Sequence, residues 1–161
     1  MSAEKKLIIL RGLSGSGKRT LADIIVSGND FRTSICSNEF FIDEEGHYSF
    51  NADKIRESHE WCKEQVREEM ERGTEIIVVH NTFTKKWEVD PYRDMSDEFD
   101  YQFDVISLYD GGLSDKDLSR RCIYNVPSRV IQNQRKKWEK DVYRGDSERT
   151  YYRNKFKRGY N

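Results

Sequence analysis

No stretch of this sequence approaches the roughly 20 continuous apolar residues that a membrane helix requires, so no membrane-spanning role is expected. The opening Met1-Ser2-Ala3-Glu4-Lys5-Lys6 lacks the apolar core of a signal peptide and runs straight into a strand-like segment. Cysteine is scarce. Cys36, Cys62 and Cys122 are widely separated and form no CxxC pair, which argues against a disulfide framework and against a zinc site. The compartment expected from this usage is a reducing, intracellular one, cytoplasmic or nuclear. Apolar residues are also few, at 35%, and charged residues match them at 35%, so a thin core should lie beneath a heavily charged surface. Repeats, low-complexity tracts and internal linkers are missing, and 161 residues amount to one domain around one sheet.

The net charge of −1 conceals an asymmetry. Residues 127–161 hold 11 Lys/Arg against 4 Asp/Glu, while residues 1–126 hold 17 against 25. Such a segment either faces a polyanion or docks on the acidic body of its own domain, and composition leaves both open. We divide the chain into a domain over 1–143 and a basic, aromatic tail over 144–161. In the tail Arg149, Arg153, Lys155, Lys157 and Arg158 alternate with Tyr151, Tyr152, Phe156 and Tyr160. That mixture suits single-stranded nucleic acid through phosphate contacts and stacking, and equally suits self-packing or disorder.

Lys6 to Arg11 reads as a buried strand and Thr20 to Ser27 as a helix. Phe31 to Ser37 is a weaker strand, and Asp43-Glu44-Glu45-Gly46 a loop tip. Ala52 to Arg72 reads as a helix with Ile55, His59, Cys62, Val66 and Met70 on one face, stopped by Gly73. Glu75 to His80 and Gln102 to Tyr109 read as strands. Trp87 to Phe99 reads as a helix interrupted near Pro91, and Ser114 to Cys122 and Pro127 to Val142 as two further helices. Trp61, Trp87 and Trp138 are expected in the core or lid, and His59 as a packed residue. Strands separated by helices imply right-handed crossovers, a parallel sheet covered on both faces, and thus an α/β fold.

Between the first strand and first helix lies Gly12-Leu13-Ser14-Gly15-Ser16-Gly17-Lys18, at the spacing of the P-loop (Walker A) pattern G-x-x-x-x-G-K-[ST]. Glycines there let successive N–H groups turn inward as an anion nest at a helix N-terminus. Gly12, Ser14, Gly15, Ser16, Gly17 and Lys18 are therefore candidate phosphate ligands, with Lys18 supplying a point charge. The last position departs from the pattern. Arg19 stands where a hydroxyl would hold Mg²⁺, and Thr20 comes one residue late, rotated by about 100° on the helix. Arginine has no lone pair for a metal, but its guanidinium could lie against the phosphates.

The chain resembles the polynucleotide-kinase-like P-loop family, most closely the kinase domains of its Nedd-four-binding-protein-two-like group. The resemblance runs from Leu10-Arg11-Gly12-Leu13 through Ser37-Asn38-Glu39-Phe40-Phe41, Gly46-His47-Tyr48-Ser49-Phe50-Asn51 and Ser58-His59-Glu60-Trp61-Cys62. It continues through Asn81-Thr82, Trp87-Glu88, Pro91-Tyr92 and Leu118-Ser119-Arg120-Arg121 to Val126-Pro127, spanning roughly residues 7 to 142. It implies a three-layer P-loop kinase fold with a four-stranded parallel sheet, ATP or another nucleoside triphosphate on the P-loop, and a 5′-hydroxyl nucleic-acid end as acceptor. It also implies a helical lid whose arginine closes on the phosphates, matched by Arg121 together with Arg120. Phosphoryl transfer draws chiefly on such positive charge.

Three positions depart from the family. Asn38 replaces the aspartate that would take the acceptor's proton, leaving Glu39 as the neighbouring carboxylate. His80 replaces an aspartate at the end of the third strand, and neutral histidine is a poor ligand for Mg²⁺. With Arg19, these substitutions disfavour Mg²⁺ and efficient transfer, and no metal ligands are assigned. A general base alone contributes about 10²–10⁴-fold. The expectation is a pseudokinase-like module that binds nucleotide, a single-stranded RNA or DNA 5′ end, or a partner protein. The alternative is an active ATP-dependent 5′-hydroxyl polynucleotide kinase.

Overall fold

The structure, a computed structural model, describes residues 4–140 together with Val142 and Tyr143. The tail over 144–161 lies outside the described residues. Four strands, β1 (Lys6–Gly12), β2 (Arg32–Ile35), β3 (Ile76–Asn81) and β4 (Gln102–Tyr109), form a parallel sheet in the order β2-β3-β1-β4. Helices α1 (Lys18–Val26), α2 (Ile55–Arg72), α3 (Lys86–Glu98), α4 (Asp115–Arg121) and α5 (Ser128–Lys137) surround it. Among the described residues no helix is long and apolar enough to cross a membrane.

The central strand β1 is apolar without alternation because both its faces are covered, as parallel sheets require. Leu7 and Ile9 join Ile77, Val79, Cys62, Val66 and Met70 on the α2–α3 face. Ile8 and Leu10 join Val78 and Ala22 on the α1 face. The period of two along a strand then decides where its end residues lie. Arg11 and Asn81 continue the α2–α3 row, while His80 continues the α1 row beside the glycine turn. A third cluster, Leu13, Leu118 and Ile131, attaches α4 and α5 to that turn.

Several expected boundaries shift for identifiable reasons. Strand β2 stops at Ile35, because Asn81 Oδ1 accepts hydrogen bonds from the Ser37 N–H and hydroxyl and draws the chain into a 3₁₀ turn, Ser37–Phe41. The long helix begins as a separate 3₁₀ turn, Ala52–Lys54, and its buried row is Ser58, Cys62, Val66 and Met70. Ile55 is 42% exposed because it precedes the sheet's cover. Gly73 at φ 80 ends the helix, its N–H reaching the Glu69 and Met70 carbonyls. Helix α3 continues through Pro91. The missing N–H there removes one bond, to Trp87 in the first turn, and Trp87 is 70% exposed and belongs to no core. Helix α5 ends at Lys137, short of the expected Val142, because Trp138 turns back over Arg11.

Arg11 is fully buried. Its Nε donates to Phe83 O at 3.0 Å, and its Nη2 to Glu139 O at 2.7 Å and Thr84 O at 3.4 Å. Nη1 reaches Ser107 Oγ at 3.4 Å, and the guanidinium lies 3.9 Å from the Trp138 ring centroid. Removing it would strand several buried acceptors at once. Arg11→Ala is expected to lower unfolding stability by about 3 kcal/mol or more. Arg11→Lys should recover little of this, since an ammonium cannot span the fork. Urea titrations read the loss as a lower midpoint at constant slope; a loss below about 1 kcal/mol would contradict the role assigned to Arg11.

Candidate functional site

At the carboxyl end of β1 the chain turns through Gly15 at φ 83 and Gly17 at φ 106, conformations open to glycine without strain. At Gly15 space is limiting as well. A Cβ there would come within 2.2 Å of the Leu118 carbonyl oxygen, so the backbone of α4 rests on the loop. Gly17 caps α1 from the left-handed region with no side-chain cap, so the first-turn N–H groups have no intrahelical partner. The Ser14 N–H donates to Gln134 Oε1 at 3.1 Å, and Gln134 Nε2 donates to Ser14 Oγ at 3.0 Å. Ser16 Oγ is buried and has no hydrogen-bond partner among the described residues.

Lys18 folds back on this loop, donating from Nζ to the carbonyls of Gly12 (2.8 Å) and Leu13 (3.0 Å). Burial pushes its ammonium down to about 8, against the pull of Cys36 and Cys122. The loop therefore holds a desolvated cation at the N-terminus of α1, a cradle for an anion.

A cavity of about 620 Å³ opens over this cradle, within the range of small-molecule sites. Gly15, Gly17 and Lys18 form its floor, with Arg121 overhead: its terminal nitrogen lies 3.9 Å from where a Gly17 Cβ would stand. Arg120 does not share that place. It is exposed, lies 3.5 Å from Asp117, and is absent from the cavity wall, since successive helical residues diverge by about 100°. Apolar side chains of Phe41, Phe50, Ile55, Ile123 and Val130 also line the cavity.

Arg19 Nη1 donates to Tyr124 Oη at 2.8 Å, and Tyr124 stacks on Tyr48 with centroids 4.2 Å apart. The arginine thus spans from α1 to the segment after α4 rather than folding onto the loop. Thr20 and Asn38 line the cavity. His59 borders it from α2, and burial lowers its pKa. Burial also raises the Glu39 carboxyl, against backbone contact from Cys36 and the charge of Arg19. Burial lowers the imidazole of His80 to about 4, helped by Lys18 and Arg19. Side-chain atoms of Cys36, Glu39 and His80 all lie within 4.8 Å of one another, a juxtaposition that cysteine spacing does not reveal. Gln134 and Tyr124 likewise carry no motif, and Tyr48 lies in a motif without an assigned role; only the folded chain brings the three to the cavity.

Comparison with known proteins agrees with this geometry. The family model described as AAA domain matches residues 7–140. Human NEDD4-binding protein 2 is 31% identical over 127 residues, covering 78% of this chain but 7% of that protein. The fold is shared with a chain of the Pnkp1/Rnl/Hen1 RNA repair complex, at TM-score 0.62 and 16% identity over 91% of this chain and 48% of that one. It is shared too with a gluconokinase from Sinorhizobium meliloti 1021, at TM-score 0.57 and 18% identity over 87% and 78% of the two chains. With the glycine turn between β1 and α1 and the sheet order β2-β3-β1-β4, these matches give one conclusion: the chain belongs to the AAA-domain family, on a P-loop kinase-like fold.

Proposed function

We propose that the cavity binds a nucleoside triphosphate, with a nucleic-acid 5′ end as second ligand, in a pseudokinase module that transfers phosphate poorly or not at all. One observation carries this reading: an intact anion cradle stands beside metal and proton positions that have changed chemistry. The loop N–H groups, Lys18 and Arg121 would hold the phosphates. ATP, when bound, supplies a transferable γ-phosphoryl group. Asn38 can orient an acceptor hydroxyl through its amide but cannot take its proton. Mg²⁺ does not fit the residues present. Arg19 offers no lone pair and is engaged by Tyr124, while the nearest cluster mixes sulfur, nitrogen and one carboxylate.

Phe50, 54% exposed in the cavity lining, suits the face of a base by stacking. A chain of an RNA repair complex and a gluconokinase share this fold alike, so the preference for a nucleic-acid end rests on the exposed aromatic ring in the cavity lining. A protein partner on the same cavity would leave the cradle unused. Protein binding indifferent to Lys18 and nucleotide would favour that role instead.

Nucleotide affinity measured by calorimetry should be the same with and without Mg²⁺, and Lys18→Met should weaken it by roughly 10–100-fold, the worth of a charged hydrogen bond. Affinity should also depend on pH in one direction. Phosphate binding favours the charged lysine, which in the free protein deprotonates near 8. Affinity is therefore flat below about pH 8 and falls by up to about tenfold per pH unit above it. Affinity that rises there would remove Lys18 from the site.

Labelled γ-phosphate should not pass measurably from ATP to a 5′-hydroxyl oligonucleotide. Combining Arg19→Ser, Asn38→Asp and His80→Asp should raise transfer by at least about 10²-fold. Transfer by the unmodified chain that Lys18→Ala abolishes would instead establish an active kinase.

A further inference from the structure

Two neighbouring strands and the turn between them bring three dissimilar ligand groups together. Strands β2 and β3 pair in parallel with Ile35 opposite Val79, so the next residues, Cys36 and His80, leave the sheet side by side. By the period of two, both lie on the face that carries α1 and the P-loop. Glu39 returns to the same place through the 3₁₀ turn. Residues three apart eclipse one another in that geometry, which sets Glu39 over Cys36. The turn is anchored to β3 by the two bonds from Ser37 to Asn81 Oδ1, at 2.8 and 2.9 Å.

Candidate ligand atoms of the three residues lie within 4.8 Å of one another. At zinc bond lengths of about 2.0–2.3 Å, tetrahedral ligands stand roughly 3.3–3.7 Å apart. Side-chain torsions alone can supply the contraction of about 1 Å that this requires. Cys36 and His80 are each 7% exposed, and the His80 side chain makes no hydrogen bond to another described residue. A buried imidazole without such a partner keeps a lone pair for a metal.

The donor set decides the metal. Mg²⁺ and Ca²⁺ prefer oxygen throughout, whereas one sulfur, one nitrogen and one carboxylate oxygen suit zinc. Charge agrees. Thiolate and carboxylate neutralise the divalent ion, so Lys18 and Arg19 nearby meet no added net charge. The thiol proton leaves to solvent as the metal–sulfur bond forms. Cys36 and His80 both line the cavity, so a fourth ligand would come from it.

We propose that Cys36, Glu39 and His80 form a zinc site with an open fourth position facing the P-loop cavity, able to take water or an oxygen of whatever occupies the cavity. On this reading histidine at the end of β3 exchanges a preference for Mg²⁺ for one for zinc. The site stands apart from the nucleotide reading and is tested without nucleotide.

The test uses the full chain with any affinity tag removed. After exchange into metal-free buffer it is titrated with Zn²⁺, and in parallel with Co²⁺ as a spectroscopic substitute. About one ion per chain should bind. The cobalt form should show tetrahedral ligand-field bands together with a thiolate-to-cobalt charge-transfer band. Cys36→Ser should abolish the charge-transfer band. Residues that only orient a ligand cost about 10–100-fold in metal affinity, so Cys36→Ser, His80→Asn and the near-isosteric Glu39→Gln should each cost at least about tenfold. His47→Asn, in the exposed loop with Asp43 and Glu45, should change nothing. Circular dichroism checks that each variant is folded, and the cobalt spectrum of the unmodified chain stands without any variant. Failure to bind a stoichiometric ion, a cobalt spectrum without the thiolate band, or binding that survives Cys36→Ser and His80→Asn would overturn the proposal.

Discussion

A single buried guanidinium holds the working end of this domain together. Arg11 occupies the place on β1 where the apolar row of Leu7 and Ile9 would next present a side chain to the core. It binds instead the carbonyls of Phe83 and Thr84, just beyond β3, and of Glu139, beyond α5. A charge without water is costly, and these polar contacts together with the face of Trp138 offset that cost. The consequence is geometric. The loop that begins at Gly12, the end of β3 with His80 and Asn81, and the chain leaving α5 all refer to one side chain.

Around this fixed point the parity of the strands distributes chemistry. Asn81 turns toward α2, receives Ser37 and donates to Cys62 at 3.6 Å. His80, one residue earlier, turns the opposite way toward Lys18 and Arg19. Neighbours in sequence therefore serve unlike purposes, one building the turn that carries Asn38 and Glu39, the other entering the cavity beside that turn.

What could be read from the sequence was local. The strand, glycine turn and helix of the P-loop are contiguous and obey short-range rules, and Gly73 announces the end of α2 by the same kind of rule. Pro91 does not end α3, because in the second turn its missing N–H costs a single bond, to the carbonyl of the exposed Trp87. Trp138 was expected simply to pack, yet its partner is a charged residue 127 positions away, and no periodicity encodes that pairing. Cys36 counted as one of three scattered thiols, and only the strand order, with β2 beside β3, sets it next to His80. Gln134 lies on an ordinary polar helix face until α5 is placed against Ser14. Arg120 and Arg121 are alike in sequence and were told apart by helical phase.

The approach of Gly15 to the Leu118 carbonyl seats α4 directly on the floor of the cavity. Because there is no room for a methyl group between α4 and the phosphate loop, the place of Arg121 at the end of that helix is set by the loop. The span 122–126 that follows is held at both ends, by Cys122 Sγ donating to the Leu118 carbonyl and Ser119 Oγ donating to the Val126 carbonyl, and Asn125 at φ 54 turns the chain between them. Tyr124 rides on that span, latched by Arg19 and flush against Tyr48. The residue standing where a P-loop carries its metal-holding hydroxyl thus ties α1 to that span through the tyrosine.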